Sequence, residues 1–420
     1  MNLQRTQKPY VFRPPRSARW FRPLLHLISA GFLRFRFRIR RLSVKGEQEL
    51  IRLARKGESV LVTPNHADHA DPCLLVEVGR RVGLAFQFMA ARECFERGPL
   101  SRFVLQRSGA FSVDREGNDL AALRTAMSLL RTGHHPLVIF PEGEIYHHHE
   151  ELDLLNEGPA TIALRVAGKL PLGRRAYAIP TAIRIRHDPA VEGTFARRLE
   201  VLERRITWKP QRHLGVTDRI LRIGSVLLSI KEEEFLGETR RGDLHERIVW
   251  LQEFLVGSVE RRHDLQPMGS ELSPRISTLR HRIRLELLSD AASRHPQRRE
   301  QLDDDLDRLF AAQQLYSYRG RYLESRPTLD RIAETLFKLD EDVLGAGTYP
   351  AARFAEISFG HPIEIGPSGR ENGRNLRASA AVLTRELRQR IQDMLTVDVP
   401  VPLQERSEIL GSATASCRAR

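Results

Sequence analysis

The segment Asn65-His66-Ala67-Asp68-His69-Ala70-Asp71-Pro72 holds a histidine and an aspartate five positions apart. Five residues along an α-helix rotate a side chain by about 140° onto another face. Five along a strand reverse the face and separate the groups by roughly 16 Å. His66 and Asp71 can therefore meet only if the chain between them bends back. A contact made that way is the base half of a hydroxyl-activating relay, in which the carboxylate fixes the imidazole tautomer and stabilises its protonated form. Two other chemistries compete. Asp71 before Pro72 is also an ordinary helix start, with Asp as N-cap and Pro at the first helical position. His66-Ala67-Asp68-His69 matches part of an H-x-H-x-D-H metal-ligand cluster such as a metal hydrolase would use, although its first histidine would fall at Pro64, which cannot ligate a metal.

Four apolar runs that end in polar residues position these groups. Ser59 to Val62 leads into the His66 turn, and Gly109 to Val113 leads into Asp114-Arg115. Pro136 to Phe140 leads into Pro141-Glu142-Gly143-Glu144, and Ala176 to Ile179 leads into Pro180, with Ile183 and Ile185 continuing at period two. Between them lie helical patterns. One starts at the candidate N-caps Asn118 and Asp119, carries Leu120, Leu123, Met127 and Leu130 on one face and stops at Gly133; another runs from Pro159 to Gly168. Strands alternating with helices predict an α/β fold with a mixed, mostly parallel sheet flanked by helices. In such sheets functional residues gather at the carboxyl ends of strands, where His66, Arg115 and Glu142 fall.

These ordered blocks, NHADHAD (65–71), GAFSVDR (109–115), FPEGE (140–144) and AIPTAI (178–183), resemble those of the glycerolipid acyltransferase family, whose members acylate lysophosphatidate and related acceptors. The resemblance covers about residues 41 to 190. It implies His66 as general base on the acceptor hydroxyl and Asp71 as its orienting partner, with no covalent acyl-enzyme. It also implies Arg115, Glu142 and Gly143 at the acceptor's polar head, and substrate contacts at Asn65 and Pro180. An arginine suits that place because its planar fork holds a phosphate with two charge-assisted bonds. Glu142 could instead pair with Arg115 or a backbone amide as a structural group. The chain departs from the family where Thr and a cation usually follow FPEG: it has Glu144, Ile145 and Tyr146. The implied donor is acyl-CoA or acyl carrier protein, used as a substrate, with no cofactor and no metal. The implied acceptor is a lysophospholipid, lysophosphatidate first, with a non-phosphatidate acceptor or a catalytically inactive lipid-binding protein as the alternatives. His147, His148 and His149 read as a polar loop, because consecutive histidines point in different directions on any regular element.

Composition adds a location. The net charge is +14, and the twelve cations from Arg5 to Lys45 all precede the first acid, Glu47. They are interleaved with Trp20, Phe21, Leu24, Leu27, Phe32, Phe35 and Phe37, while the apolar run from Leu24 to Leu33 is too short to span a bilayer. Residues 1–40 therefore read as a basic amphipathic leader that lies on an anionic membrane surface, with Arg34 to Arg41 as either helix or alternating strand. The massed aromatics are unlike the spaced stacking platforms of nucleic-acid binders, so no nucleic-acid partner is expected. Three cysteines at unrelated spacings give neither a disulfide framework nor a zinc pattern, in keeping with the cytoplasmic face of a membrane, peripheral or monotopic. The expected organisation is leader 1–40, acyltransferase core 41–205, a helical insertion over 206–348 whose faces include Ile248, Leu251, Leu255 and Val259, completion of the core by a strand and a helix over 349–398, and a disordered tail over 399–420.

Overall fold

The computed structural model describes residues 10–115, 119–266, 269, 271–289, 295–318, 320–366 and 373–396. Asn118 and the expected tail lie outside them. The chain divides into two compact units, one formed by Tyr10–Arg186 with the segment that starts at Ala352, the other by His187–Ala351.

In the first unit the order is α1 (Arg22–Gly31), β1 (Ile39–Lys45), α2 (Glu47–Arg55), β2 (Ser59–Pro64), α3 (Asp71–Val82), β3 (Gln87–Ala91), α4 (Arg92–Glu96), α5 (Pro99–Arg107), β4 (Ala110–Val113), α6 (Leu120–Thr132), β5 (Leu137–Val138), α7 (Gly158–Ala167) and β6 (Ala176–His187). The sheet order is β1-β7-β6-β2-β5-β3-β4, where β7 is Arg353–Phe359, and β8 (Ile363–Ile365) pairs with the start of β6. β2 runs parallel to β5 and β6, β3 to β4 and β5, and β1 to β7, while β8 is antiparallel to β6. This is the mixed, mostly parallel α/β sheet expected from the alternation of strands and helices. Every residue of β2 is buried, as befits a strand covered on both faces.

The helices follow from local rules, with one shift. Asp119 caps α6 by accepting from Ala122 N–H at 2.9 Å, and Gly133 ends it in the left-handed conformation. Ala122, Ala126 and Leu130 form the buried stripe, with Leu123 and Met127 packed beside it, whereas Leu120 is exposed. The small alanines let α6 sit close to the sheet, so its stripe is less apolar than the leucines alone suggest.

The leader departs further from expectation. Residues 10–18 are not an appendage but lie against the edge strand β4: Ser112 N–H donates to Arg13 O at 3.0 Å, and Arg16 N–H donates to Gln106 O at 2.8 Å. Covering an edge in this way satisfies its exposed backbone groups. Phe21, Leu33 and Phe37 are buried, and the strand begins only at Ile39, because Phe32–Arg36 continue the helical path as a π-turn. Arg34 to Phe37 therefore do not form the alternating strand that was one reading of them.

The second unit is helical: α8 (Glu192–Ile206), α9 (Val216–Leu236), α10 (Leu244–Arg262), α11 (Leu272–Leu287), α12 (Pro296–Gln314), α13 (Gly320–Ser325) and α14 (Leu329–Leu344). It begins at His187 rather than at 206, since Phe195, Leu199 and Leu202 of α8 pack with α9 and α14. Leu251, Leu255 and Val259 of α10 pack on α11 and α12. After this unit β7 and β8 return to the sheet, and α15 (Gly373–Thr396) buries Ala380, Leu383 and Leu387 against the same cluster as α6 and α7.

Successive helices of the second unit are joined by one repeated device. Arg219 at the start of α9 pairs with Glu203 at 2.9 and 2.6 Å, Arg247 of α10 with Glu232 at 3.0 and 2.6 Å, and Arg275 of α11 with Glu260 at 2.8 Å through two nitrogens. All six side chains are buried. A bidentate pair offsets the desolvation of both ions only while both are present. We predict that Arg247→Met, which strands Glu232 in the interior, costs about 3–5 kcal/mol in urea unfolding, and that adding Glu232→Leu recovers most of it. A single-variant loss below about 1 kcal/mol would contradict the device.

Candidate active site

The turn between β2 and α3 folds His66 onto Asp71. His66 Nδ1 lies 2.9 Å from Asp71 Oδ2, and the same oxygen accepts the Ala67 and Asp68 backbone N–H groups at 3.0 Å each. Asp71 is fully buried, and its carboxylate reaches back over the turn rather than forward onto helix amides. It is the first helical residue, preceded by Ala70 at the N-cap, so the simple capping role does not describe it. An Nδ1–H donated to Asp71 would leave Nε2 as the ring's acceptor. The ring stacks on Phe140 with centroids 4.0 Å apart, and its side chain keeps 15% exposure.

Glu142 closes the front of the turn. Its Oε1 accepts His66 N–H at 2.6 Å and its Oε2 accepts Asp153 N–H at 3.4 Å. Of the roles open to it, the backbone-amide partner is the one it occupies. Burial pushes its carboxyl up to about 8; the two N–H donors oppose that rise, and the nearby Asp153 and Asp71 carboxylates add to it. The 140–143 turn is closed by Gly143 N–H to Phe140 O at 3.2 Å, and Gly143 sits at φ +76°, where a Cβ would come 3.0 Å from Asn156 Nδ2. Gly143 thus serves the turn's backbone.

Two expected substrate residues are committed to the scaffold. Asn65 spends both ends of its amide on β6, donating to Ile183 O at 3.0 Å and accepting from Ile183 N–H at 2.6 Å. Pro180 is buried within β6, and its carbonyl accepts Gly360 N–H at 2.8 Å. Both hold β6 in register beneath the turn.

Arg115, at the end of β4, donates to the Gly143 carbonyl and lies 2.8 Å from Glu144 Oε1 and 3.5 Å from Glu93 Oε2. It therefore reaches the same turn that holds His66, one peptide beyond Glu142.

Sequence reasoning missed a further pair. Asp68 forms a buried ion pair with Arg353, Oδ2 to Nη1 at 2.6 Å, while its Oδ1 accepts Ala70 N–H at 2.8 Å. Arg353 also donates from Nε to Phe37 O at 2.9 Å. Burial by itself would raise the Asp68 carboxyl, but the Arg353 guanidinium, with His149 and the Ala70 N–H, holds it well below the usual carboxylate range. A guanidinium on the central acid of the apparent metal motif disfavours a cation there. The signal for Arg353 was its phase: it falls at an inward position of β7, on the same face as Ala355, Ile357 and Phe359. His147, His148, His149 and Glu150 are buried rather than forming an open polar loop, and α15 clamps the following backbone, with Gln392 bonded to Leu152 N–H and Glu150 O at 2.9 Å each. The cysteines offer no alternative nucleophile among the described residues: burial pushes the Cys73 thiol up to about 11 and raises Cys94 as well.

Residues 41–184 match the family model described as Acyltransferase, whose members are like 1-acylglycerol-3-phosphate acyltransferases. That segment is similar to acyltransferase-family domains. The match spans β1 through most of β6 and includes the His66 turn, the 140–144 turn and Arg115. No curated protein matches the chain. The match supports a general acyl-transfer function for this segment.

The Glu142 carboxyl yields a pH prediction. A group raised from 4.5 to about 8 stabilises the fold fully below about 4.5, and that contribution is lost as pH rises through about 8. Glu142→Gln keeps a carbonyl acceptor for His66 N–H and removes the titration. Relative to this variant, the native protein should lose on the order of a few kcal/mol between about pH 5 and pH 8.5 in thermal or denaturant unfolding. A stability difference between the two that is the same at both pH values would contradict the assignment.

Proposed function

We propose that this protein moves a fatty acyl chain from an acyl thioester, acyl-CoA or acyl carrier protein, to the hydroxyl of a lysophospholipid at an anionic membrane surface. The observation that carries the proposal is the His66–Asp71 contact of 2.9 Å on a ring that remains partly exposed. His66 Nε2 takes the acceptor's hydroxyl proton as the oxygen attacks the thioester carbonyl. The tetrahedral centre collapses, the C–S bond breaks, and the imidazolium returns the proton to the departing thiolate. Asp71 holds the ring and stabilises its charged form throughout. Asp68, Arg353 and Glu142 act as positioning residues, because they fix the backbone that carries the pair. Lysophosphatidate is the acceptor that the sequence resemblance suggests, and the surroundings of Arg115 bear on that choice below.

The surface of the first unit supports the membrane part. Trp20, Leu24, Leu27, Phe32 and Phe35 are exposed, the last at 80%. Beside them lies a groove of about 430 Å³ lined by Leu27, Ala30 and Leu33 together with Arg34, Arg40 and Arg41. Apolar side chains rimmed by arginines suit the boundary between acyl chains and anionic head groups. Among the described residues no helix is long and apolar enough to cross a membrane. Because residues 10–40 also cover β4 and enter the core, substitutions test this surface better than deletion.

Two outcomes are expected. His66→Ala and Asp71→Ala should each lower acyl transfer by a factor of about 10³ or more, with far-ultraviolet dichroism unchanged; purified native protein that acylates no lysolipid with any thioester would refute the enzyme reading. The triple variant Trp20→Glu, Leu27→Glu, Phe35→Glu should lose about tenfold or more of its partition onto anionic liposomes at moderate salt, and unchanged binding would refute the membrane surface.

A further inference from the structure

The arginine at the end of β4 is already occupied. A guanidinium held one peptide from the clamp on His66 has the right shape and charge to take a phosphate monoester, whose oxygens match its fork. Here, however, Glu144 lies 2.8 Å from Nη1 and Glu93 lies 3.5 Å from Nη2, while the Gly143 carbonyl takes a further N–H. Two carboxylates thus share this guanidinium, and a dianion would have to sit beside both. The neighbouring Arg92 offers no relief, since it is buried and pairs with Glu96 at 3.2 Å and Asp114 at 3.5 Å. Glu144 and Arg115 keep equal, partial side-chain exposure of 29%, so the pair faces accessible space rather than the core. A phosphate monoester approaching it must break the Arg115–Glu144 pair and meet a freed carboxylate of like charge.

We infer that Glu144 is a specificity-determining residue which, by occupying Arg115, turns the acceptor site against phosphate monoesters and toward lysolipids whose head carries a hydrogen-bond donor, an ammonium or a hydroxyl, in that position. This inference rests on the acyl-transfer reading for the identity of the site, but not on turnover. Glu144 lies in the turn after Gly143, makes no contact with His66 or Asp71 in the hydrogen bonds described above, and acts on the acceptor through Arg115. The effect is local: Glu144→Thr would remove the nearer carboxylate and leave Glu93 at the longer distance, so that the Arg115 fork can turn onto a phosphate more readily.

The test uses short-chain lysolipids below their micelle concentration, lysophosphatidate against lysophosphatidylethanolamine, titrated calorimetrically into the full-length His66→Ala protein and into His66→Ala combined with Glu144→Thr or Glu144→Gln. The ethanolamine lysolipid is expected to bind the Glu144 protein at least tenfold more tightly than lysophosphatidate. Both Glu144 substitutions should move that ratio toward lysophosphatidate by a further tenfold or more. Tighter binding of lysophosphatidate to the Glu144 protein, an unchanged ratio on substitution, or no binding of either lysolipid would overturn the inference. The same two lysolipids are then offered with acyl-CoA to protein that retains His66. A head-group preference in binding without acyl transfer would overturn the acyl-transfer reading and leave the role of Glu144 intact; acyl transfer with the opposite preference would overturn the role of Glu144 alone.

Discussion

A single carboxylate oxygen organises the centre of this protein. Asp71 Oδ2 receives His66 Nδ1 and the Ala67 and Asp68 amides, all within 3.0 Å. A buried carboxylate demands such donors, because leaving it unsatisfied in a low-dielectric interior costs more than most single contacts contribute. The demand fixes the backbone of residues 66–71 in one conformation, and that conformation aims the imidazole outward. The next layer follows from it. Asp68 turns away from the relay and needs a counter-ion, which Arg353 supplies from β7; the His66 amide points forward and is taken by Glu142.

These supports come from distant parts of the chain. Arg353 lies 285 residues beyond Asp68 and Glu142 lies 76 beyond His66, yet both reach the turn, Arg353 from the start of β7 and Glu142 from the turn that follows β5. Between β6 and β7 the chain makes a separate helical unit with its own cores and its own series of buried arginine–glutamate pairs. The residue that restores the chain to the sheet unit is thus nearly the same residue that secures the turn, since β7 begins at Arg353.

Much of this was legible in the sequence, and the reasons differ from residue to residue. The His66 turn announced itself because its spacing fits no regular element, and the strand-to-loop passages announced the α/β layers because burial on both faces gives short continuous apolar runs. The strand Gln87–Ala91 escaped notice, being short and half-buried, as did the sheet role of Ile39–Lys45, whose arginines read as part of a leader. Asn65 was legible as part of a motif but not in its role: only the register of β2 with β6 shows that its amide is consumed by Ile183. The buried histidines at 147–149 could not be read as buried, because composition carries no information about the α15 residues that cover the segment after them.

The central claim is that Asp71 sets the tautomer of His66 so that Nε2 can act as base. Nitrogen-15 imidazole spectroscopy of the native protein at neutral to mildly alkaline pH reads this directly. The account predicts a neutral His66 ring protonated on Nδ1 and unprotonated on Nε2, with that preference lost in Asp71→Ala. A neutral ring carrying its proton on Nε2 in the native protein would contradict it.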